Sequence, residues 1–439
     1  MKKFLYVLLF SGAGVFADDP VYFDVAASYP SDELALKEFL KVSRMLGNSS
    51  GFNTYSKKLK KIEEDSAKTI AERIHCDASQ ILFTPSATVS NNIAILGVAY
   101  KNPKCHLITS KIEHKSVLSV FRYLESIGYS VTYLSVDAHG QVDLNELEAS
   151  IRPETRLVSI QSFNSEIGSR QNLKTISTIV HNHKNIVFHS DVSQSFGKYE
   201  IDFSLLDLAT FSGYKIGVPK GIAALYIKDR SVLSPIMFGS GDDLLPGTKP
   251  TALIASFATA VKNFKFDSAK VEKNFLVLKE EIEKIPDVVV NSDTPSHVLS
   301  VSIKGVLLKD LIEALEGWAF SSGCSCSGQG ESEVMQAIRQ AIGKYLSCTL
   351  RISFPDKIDS KILVKFAKKL KEEVERLRKL KTVDSECESD EKKMDPLKSV
   401  LKTISETIGI EKADEKSSLT QEPEKLKEEH LFNNAEQQR

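Results

Sequence analysis

The sequence predicts an α/β protein with a mainly parallel sheet flanked by helices, followed by a smaller α+β C-terminal domain. Three observations carry this expectation. Short apolar runs alternate with helical patterns between residues 80 and 227, the mark of strands joined by crossover helices. After about residue 260 the texture changes to long charged helices among further strand-like runs. The 439 residues are 42% hydrophobic and 26% charged, an ordinary globular composition with room for a sizeable core. At about 100–200 residues per domain, one small domain is excluded.

Taken in order, the apolar runs predict strands at 80–84, 106–109, 130–134, 157–161, 186–190, 208–212 and 222–227. Helical spacing predicts helices between them at 88–100, 116–127, 144–151 and 173–182. A charged helix follows at 268–285, and a last one at 360–379 carries Ile362, Phe366, Leu370, Val374 and Leu377 as one apolar stripe, which packs against a core. No segment repeats with a period of about 20–50 residues, so solenoids and propellers are excluded. The expected organisation is a large domain over 21–265 and a small one over 266–380, with 21–32 assignable to either.

The ends differ from the middle. Lys2 and Lys3 precede an uncharged, mostly apolar run from Phe4 to Ala17, then Asp18, Asp19 and Pro20. Residues 1–20 thus match a secretory signal, and equally a buried core element or a leader upstream of the true start. Residues 381–439 hold 15 acidic and 10 basic residues with almost no aromatics, a composition that favours disorder. Within that tail Leu397, Val400, Leu401, Ile404 and Ile408 have helical spacing, which reads as a transient helix or a docking segment.

With 57 Lys and Arg against 58 Asp and Glu, the net charge is −1. That supplies no overall field for nucleic acid or an anionic membrane, and no convincing local basic patch is present. The six cysteines, Cys76, Cys105, Cys324, Cys326, Cys348 and Cys387, are too few and scattered for a disulfide scaffold, which leaves thiol chemistry open. His181, His183 and His189 lack further ligands in register and read as satisfied surface histidines, with no metal site expected.

Asp191 and Lys215 each follow a predicted strand. A lysine that forms a Schiff base with pyridoxal phosphate, and a carboxylate set against the pyridinium nitrogen, is the pair that cofactor requires. Spacing alone also fits ordinary strand-end residues.

Across residues 21–379 the sequence resembles the cysteine desulfurases of the class V aminotransferase family, which are fold-type I pyridoxal-phosphate enzymes. Tyr22-Phe23-Asp24-Val25-Ala26-Ala27 resembles the opening Y-L-D-N-A-A, and Phe83 to Asn92 resembles F-T-S-G-A-T-E-S-N-N. The latter is a strand-to-helix turn, with Ala87 and Thr88 where a helix N-terminus meets phosphate. Lys111-Ile112-Glu113-His114 is similar to K-x-E-H, whose His stacks on the cofactor ring. Phe163 to Gly168 stands for V-N-N-E-I-G, and Asp191 to Ser195 for D-A-T-Q-S. Ser212-Gly213-Tyr214-Lys215 places Lys215 as the Schiff-base lysine, with Ser212, Tyr214 and Gln194 among the cofactor contacts.

Ser321-Ser322-Gly323-Cys324-Ser325-Cys326 resembles S-S-G-S-A-C and puts Cys326 at the sulfur-accepting position, with Cys324 a small spacer. Leu350-Arg351-Ile352-Ser353 resembles I-R-x-S, whose Arg grips the substrate α-carboxylate. The resemblance implies that Lys215 moves the Cα proton of L-cysteine and Asp191 keeps the ring protonated. Cys326 then takes the sulfur as a persulfide, His114 assists proton transfer, and alanine is left. It further implies a sulfur acceptor such as an iron–sulfur cluster scaffold, and a homodimer in which Thr248 reaches the partner's cofactor phosphate.

Several positions depart from the family pattern. Tyr214 replaces a His, Ser165 replaces an Asn that touches ring and substrate, and 245–248 lacks the Arg of R-S-G-T. Two other readings accompany the desulfurase: a selenocysteine lyase or another class V enzyme, and a catalytically weakened scaffold that keeps fold and dimer. The family implies the cytoplasm, whereas residues 1–20 leave export or membrane targeting open.

Overall fold

The computed structural model describes residues 20–322, 332–342 and 348–383. The chain opens with β1 (Val21–Tyr22), α1 (Glu33–Ser43) and α2 (Thr54–Ile74). The alternating region follows as β2 (Ile81–Thr84), α3 (Ala87–Lys101), β3 (His106–Ser110), α4 (Lys115–Ser126), β4 (Ser130–Leu134) and α5 (Leu144–Ser150). It continues through β5 (Thr155–Ser159), α6 (Leu173–His181), β6 (Val187–Asp191), β7 (Leu208–Ser212) and β8 (Ala223–Ile227).

Strands β2 to β8 form one seven-stranded sheet in the order β2-β8-β7-β6-β5-β3-β4. All pairs are parallel except the two made by β8. That exception has a local cause: the stretch 213–222 between β7 and β8 holds only a short 3-10 turn, too little chain for a crossover helix, so the strand returns antiparallel. Both faces are buried. Ile108, Val158, Phe188 and Phe211 enter one apolar core, while Leu107, Leu157, Leu208 and Leu225 enter the other, the period of two that a doubly covered strand shows.

Helices α1 and α2, and α7 (Thr251–Asn263), have no counterpart among the elements read from the sequence. They pack on one another, and α2 is so rich in Lys and Glu that its buried stripe is hard to see. Even its buried Glu63 is polar, accepting a hydrogen bond from Thr251 Oγ1 at 2.5 Å.

Beyond α7 come α8 (Ser268–Glu283), β9 (Val288–Val290), β10 (Val298–Ile303), α9 (Leu308–Ala314), β11 (Trp318–Ala319) and β12 (Ser321–Ser322). Then follow α10 (Glu333–Ile342), β13 (Thr349–Ser353) and α11 (Ser360–Val383). A second, antiparallel sheet orders as β12-β13-β10-β9. The stripe of α11 buries Phe366, Leu370, Val374 and Leu377 against it. The N-terminal segment joins this region: β1 pairs in parallel with β11, and the Phe23 ring lies edge-on to Phe366 at 5.0 Å.

One histidine departs from expectation. His189 is not at the surface; it is fully buried on β6, with Nδ1 bonded to Ser159 Oγ at 2.8 Å and Nε2 to Thr210 Oγ1 at 3.2 Å. Burial drives its pKa down to about 4, so it is a neutral polar link between three strands. His181 and His183 are exposed, and no cluster of metal-ligating side chains occurs among the described residues. No described helix is long and apolar enough to cross a membrane.

The short turn after β7 ends at Gly217, with φ +87°, where an added Cβ would sit 3.0 Å from Asp32 N and Pro30 O. Only glycine meets both demands. Gly217→Ala should therefore lower stability by about 1–3 kcal/mol, read as a lower urea midpoint; an unchanged midpoint would contradict this account of the turn.

Candidate active site

Parallel sheets place ligands outside the carboxyl ends of their strands, and here those ends carry the polar residues. Asp191 is the last residue of β6 and pairs with Thr210 of β7. Ser212 ends β7, and Lys215 follows in the tight turn. Thr84 at the end of β2 and Ser212 both pair with Ala223 of β8. The start of α3 and the Lys215 turn therefore share one edge of the sheet, separated by a single strand.

Asp191 is held from two sides. Its Oδ1 accepts from Ser193 N at 3.0 Å and its Oδ2 from Asn91 Nδ2 at 2.9 Å. Asn91, fully buried on α3, also donates to Ser116 Oγ at 2.8 Å. Ser116 in turn lies 2.8 Å from His114 Nδ1, which accepts from Ser116 N–H at 3.1 Å. Because Nδ1 is an acceptor, the neutral His114 ring carries its proton on Nε2. Loss of solvation holds its pKa below the usual histidine range; Asp191 opposes this, and Lys215 and Lys115 add to it.

His114 is also the N-cap of α4, and Ser86 caps α3 through Val89 N at 3.3 Å. The two helix starts meet: Thr88, Asn92, His114, Ser116 and Tyr123 line one open cleft of about 430 Å³. The first turn of α3 at Ala87 and Thr88 presents backbone N–H groups without helical acceptors, the arrangement that attracts a phosphate.

Lys215 is buried, and its Nζ donates to Ala27 O at 2.9 Å and also to Ala26 O. Its amine sits 4.7 Å from the Tyr214 ring centroid. Burial lowers the Lys215 pKa from 10.5 to about 8, and Arg351 pushes the same way while Asp24 and Asp191 resist. Gln194 Nε2 shares the Ala26 carbonyl at 2.9 Å. Arg351, on β13, donates through Nη2 to Asp24 Oδ1 at 2.8 Å and through Nη1 to Ser165 O at 3.2 Å.

The structure thus gathers Lys215, Asp191, Gln194, Ser212, Tyr214, His114 and Thr88 at one sheet edge, with Arg351 reaching in from the second sheet. Ser165 meets Arg351 through its backbone carbonyl, so the exchange of Asn for Ser leaves that contact intact. Thr248 is exposed, just before α7. Cys324 and Cys326 lie outside the described residues, as do 1–19 and 384–439. Sequence reasoning missed Asn91 and Asp24 as site residues. Both lie inside motifs already singled out, Asn91 in Phe83 to Asn92 and Asp24 in Tyr22 to Ala27, but nothing local names their partners, which lie 100 and 327 residues away.

The residues fit pyridoxal phosphate. Ser212 Oγ, Ser193 Oγ, Gln194 Oε1, Asn91 Oδ1 and Arg351 Nε are buried without a hydrogen-bond partner in the chain, at the edge where a polar ligand would satisfy them. The buried amine has a further consequence. Between about pH 8 and the ordinary lysine range the folded chain binds fewer protons at this site than the unfolded one, so its contribution to stability rises with pH there. Reductive methylation of the cofactor-free protein, followed by peptide mass spectrometry, should label Lys215 with a midpoint near pH 8. A midpoint shared with the surface lysines would contradict the burial.

Comparison with known proteins gives the family. The family model described as aminotransferase class-V matches residues 21–360. Cysteine desulfurase IscS of Buchnera aphidicola is 39% identical over 327 residues, covering 70% of this chain and 81% of the relative. A solved NifS-like protein superposes with TM-score 0.73 at 28% identity, covering 82% of this chain and 100% of its own. SspA in complex with cysteine gives TM-score 0.68 at 33% identity, covering 76% and 99%. The chain belongs to the class V aminotransferase family, within its cysteine desulfurase branch.

Proposed function

We propose that this chain removes sulfur from L-cysteine with pyridoxal phosphate, leaving alanine and a persulfide on Cys326 that a second protein takes up. The observation that carries the reading is the convergence of a buried amine, Lys215, a fixed carboxylate, Asp191, and a guanidinium, Arg351, at one sheet edge. Strand β12 adds to it: Ser321 pairs with Arg351, and Cys326 follows Ser322 by four residues, a tether of at most about 14 Å.

Asp191 would face the ring nitrogen and His114 the ring. Gln194, Ser212 and Tyr214 would complete the pocket, with the phosphate at Ala87 and Thr88. Thr248 of a second copy would reach that phosphate in a homodimer. When bound, the cofactor withdraws electrons from the substrate's Cα.

The chain supplies the rest. Arg351 orients the α-carboxylate through its unused N–H groups. Lys215, neutral above about pH 8, accepts the Cα proton and returns a proton to Cα as alanine forms. Cys326 thiolate forms an S–S bond to the substrate sulfur as the carbon–sulfur bond breaks; the electron pair stays with carbon, which takes a proton to become the methyl of alanine. His114 Nε2–H is placed to move a proton within the cleft.

A scaffold for iron–sulfur cluster assembly suits the acceptor's role, and a reducing compartment suits the chemistry, because an oxidising one consumes thiolate and persulfide. The similarity to SspA in complex with cysteine and to cysteine desulfurase IscS favours this reading over a selenocysteine lyase or an inert scaffold.

The test is turnover by the protein loaded with pyridoxal phosphate. Sulfide and alanine should appear from L-cysteine with dithiothreitol. Cys326→Ser should lower sulfide release by about a thousandfold or more while keeping the cofactor chromophore, and Lys215→Ala should lose both. Turnover that survives Cys326→Ser would sink the persulfide route.

A further inference from the structure

Arg351 does not stand alone at the edge of the site. Asp24 Oδ1, which accepts from Arg351 Nη2 at 2.8 Å, also accepts from Ser321 Oγ at 2.9 Å. The pair is largely buried: the two side chains retain 11% and 20% of their exposure. A guanidinium in such surroundings needs a counter-charge, and the other partner it holds, Ser165 O, is neutral.

The carboxylate itself cannot wander. Asp24 forms a parallel bridge with Ser353, Ser353 N donates to Phe23 O at 2.8 Å, Val25 N donates to Ser353 O at 3.3 Å, and Ala26 N donates to Ser353 Oγ at 3.0 Å. Ser353 lies two residues after Arg351 on the same strand. Acceptor and donor are therefore mounted on one small piece of sheet, which fixes the rotation of the guanidinium plane. The bonds to Asp24 and Ser165 leave Nε–H unpartnered and buried. On that side of the plane a carboxylate can accept from Nε–H and from the second N–H of the adjacent Nη in two parallel bonds.

We propose that Asp24 is a positioning residue for substrate selection: it clamps Arg351 with its free edge turned toward the amino acid's α-carboxylate, and so sets the preference for amino acids over simple amines. This inference rests on the desulfurase reading, which gives Arg351 its carboxylate. Asp24 acts through Arg351 and does not touch the reacting atoms. Asp24→Asn keeps an acceptor oxygen at the same place, whereas Asp24→Ala removes it.

The experiment compares L-alanine, the product, with ethylamine, which lacks the carboxylate, by absorbance titration of the protein loaded with pyridoxal phosphate. For Asp24→Ala the alanine dissociation constant should rise about tenfold while that of ethylamine stays within about twofold of wild type. Asp24→Asn should recover most of the alanine affinity. Ser321→Ala, which removes the other bond to the same oxygen, should bind alanine within about twofold of wild type. Equal loss of both ligands in Asp24→Ala, no loss of either, no recovery in Asp24→Asn, or a Ser321→Ala that matches Asp24→Ala each overturns the proposal. A wild-type protein that binds alanine but does not turn over L-cysteine overturns the desulfurase reading instead, and the alanine-to-ethylamine ratio still decides the role of Asp24.

Discussion

Burying a primary amine is the constraint from which the rest of the site follows. Out of water, a lysine must either find a carboxylate, which keeps it charged, or settle among neutral acceptors, which allow it to lose its proton. Lys215 takes the second course: its acceptors are the carbonyls of Ala26 and Ala27. Both nearby carboxylates are engaged elsewhere, Asp191 with Asn91 and Ser193 and Asp24 with Arg351. The pKa near 8 follows first from burial and then from Arg351, with Asp24 and Asp191 resisting. An amine with such a value is a nucleophile and a base near neutrality, the state a lysine needs to work on an α-amino acid.

This arrangement ties residues 21–32 to chemistry performed some two hundred residues later. The strap 21–29 runs from the parallel pair of β1 with β11, past the bridge of Asp24 to Ser353 on the second sheet, to the Lys215 turn. There Tyr29 N donates to Tyr214 O at 3.3 Å and Asp32 N to Gly217 O at 2.8 Å. One run of chain holds the guanidinium, the amide of Gln194 and the amine. Positions that must agree to within a fraction of an ångström are tied to a common backbone, and neither sheet alone can assemble them.

The alternating middle of the fold was legible because its strands are covered on both faces and so read as unbroken apolar runs; six of the seven expected strands have bounds within one residue of the observed ones. The run expected at 157–161 instead occupies Thr155–Ser159, because Gln161 N leaves the ladder to donate to the buried Glu113 carboxyl at 3.0 Å. A side-chain acceptor supplied from a distant turn has no trace in local pattern. Helices α1 and α2 were illegible for another reason: α1 buries only Ala35 and Val42, and the buried positions of α2 are diluted by Lys and Glu, whereas α7 is buried along most of its length and so shows no contrasting polar face. In the site, Lys215, Asp191, Arg351 and His114 were recognisable from motifs. The bonds that orient them were not, since Asn91 to Asp191 and Asp24 to Arg351 span 100 and 327 residues and depend on the closure of the fold.

The buried atoms without partners close the argument about why such a site persists. Ser193 Oγ, Gln194 Oε1, Ser212 Oγ and Asn91 Oδ1 each cost the cofactor-free chain about 1–3 kcal/mol relative to a bonded group. Selection for the stability of that state alone gives no reason to keep buried polar groups without partners. Their retention makes sense if the folded state that matters contains a polar ligand, because a ligand that satisfies them binds the native chain and not the unfolded one. It therefore returns the missing free energy as both affinity and stability. Recognition and folding are coupled through the same few oxygens, and the strap reaches the residue that carries one of them, since Ala26 O accepts from Gln194 Nε2 as well as from Lys215 Nζ.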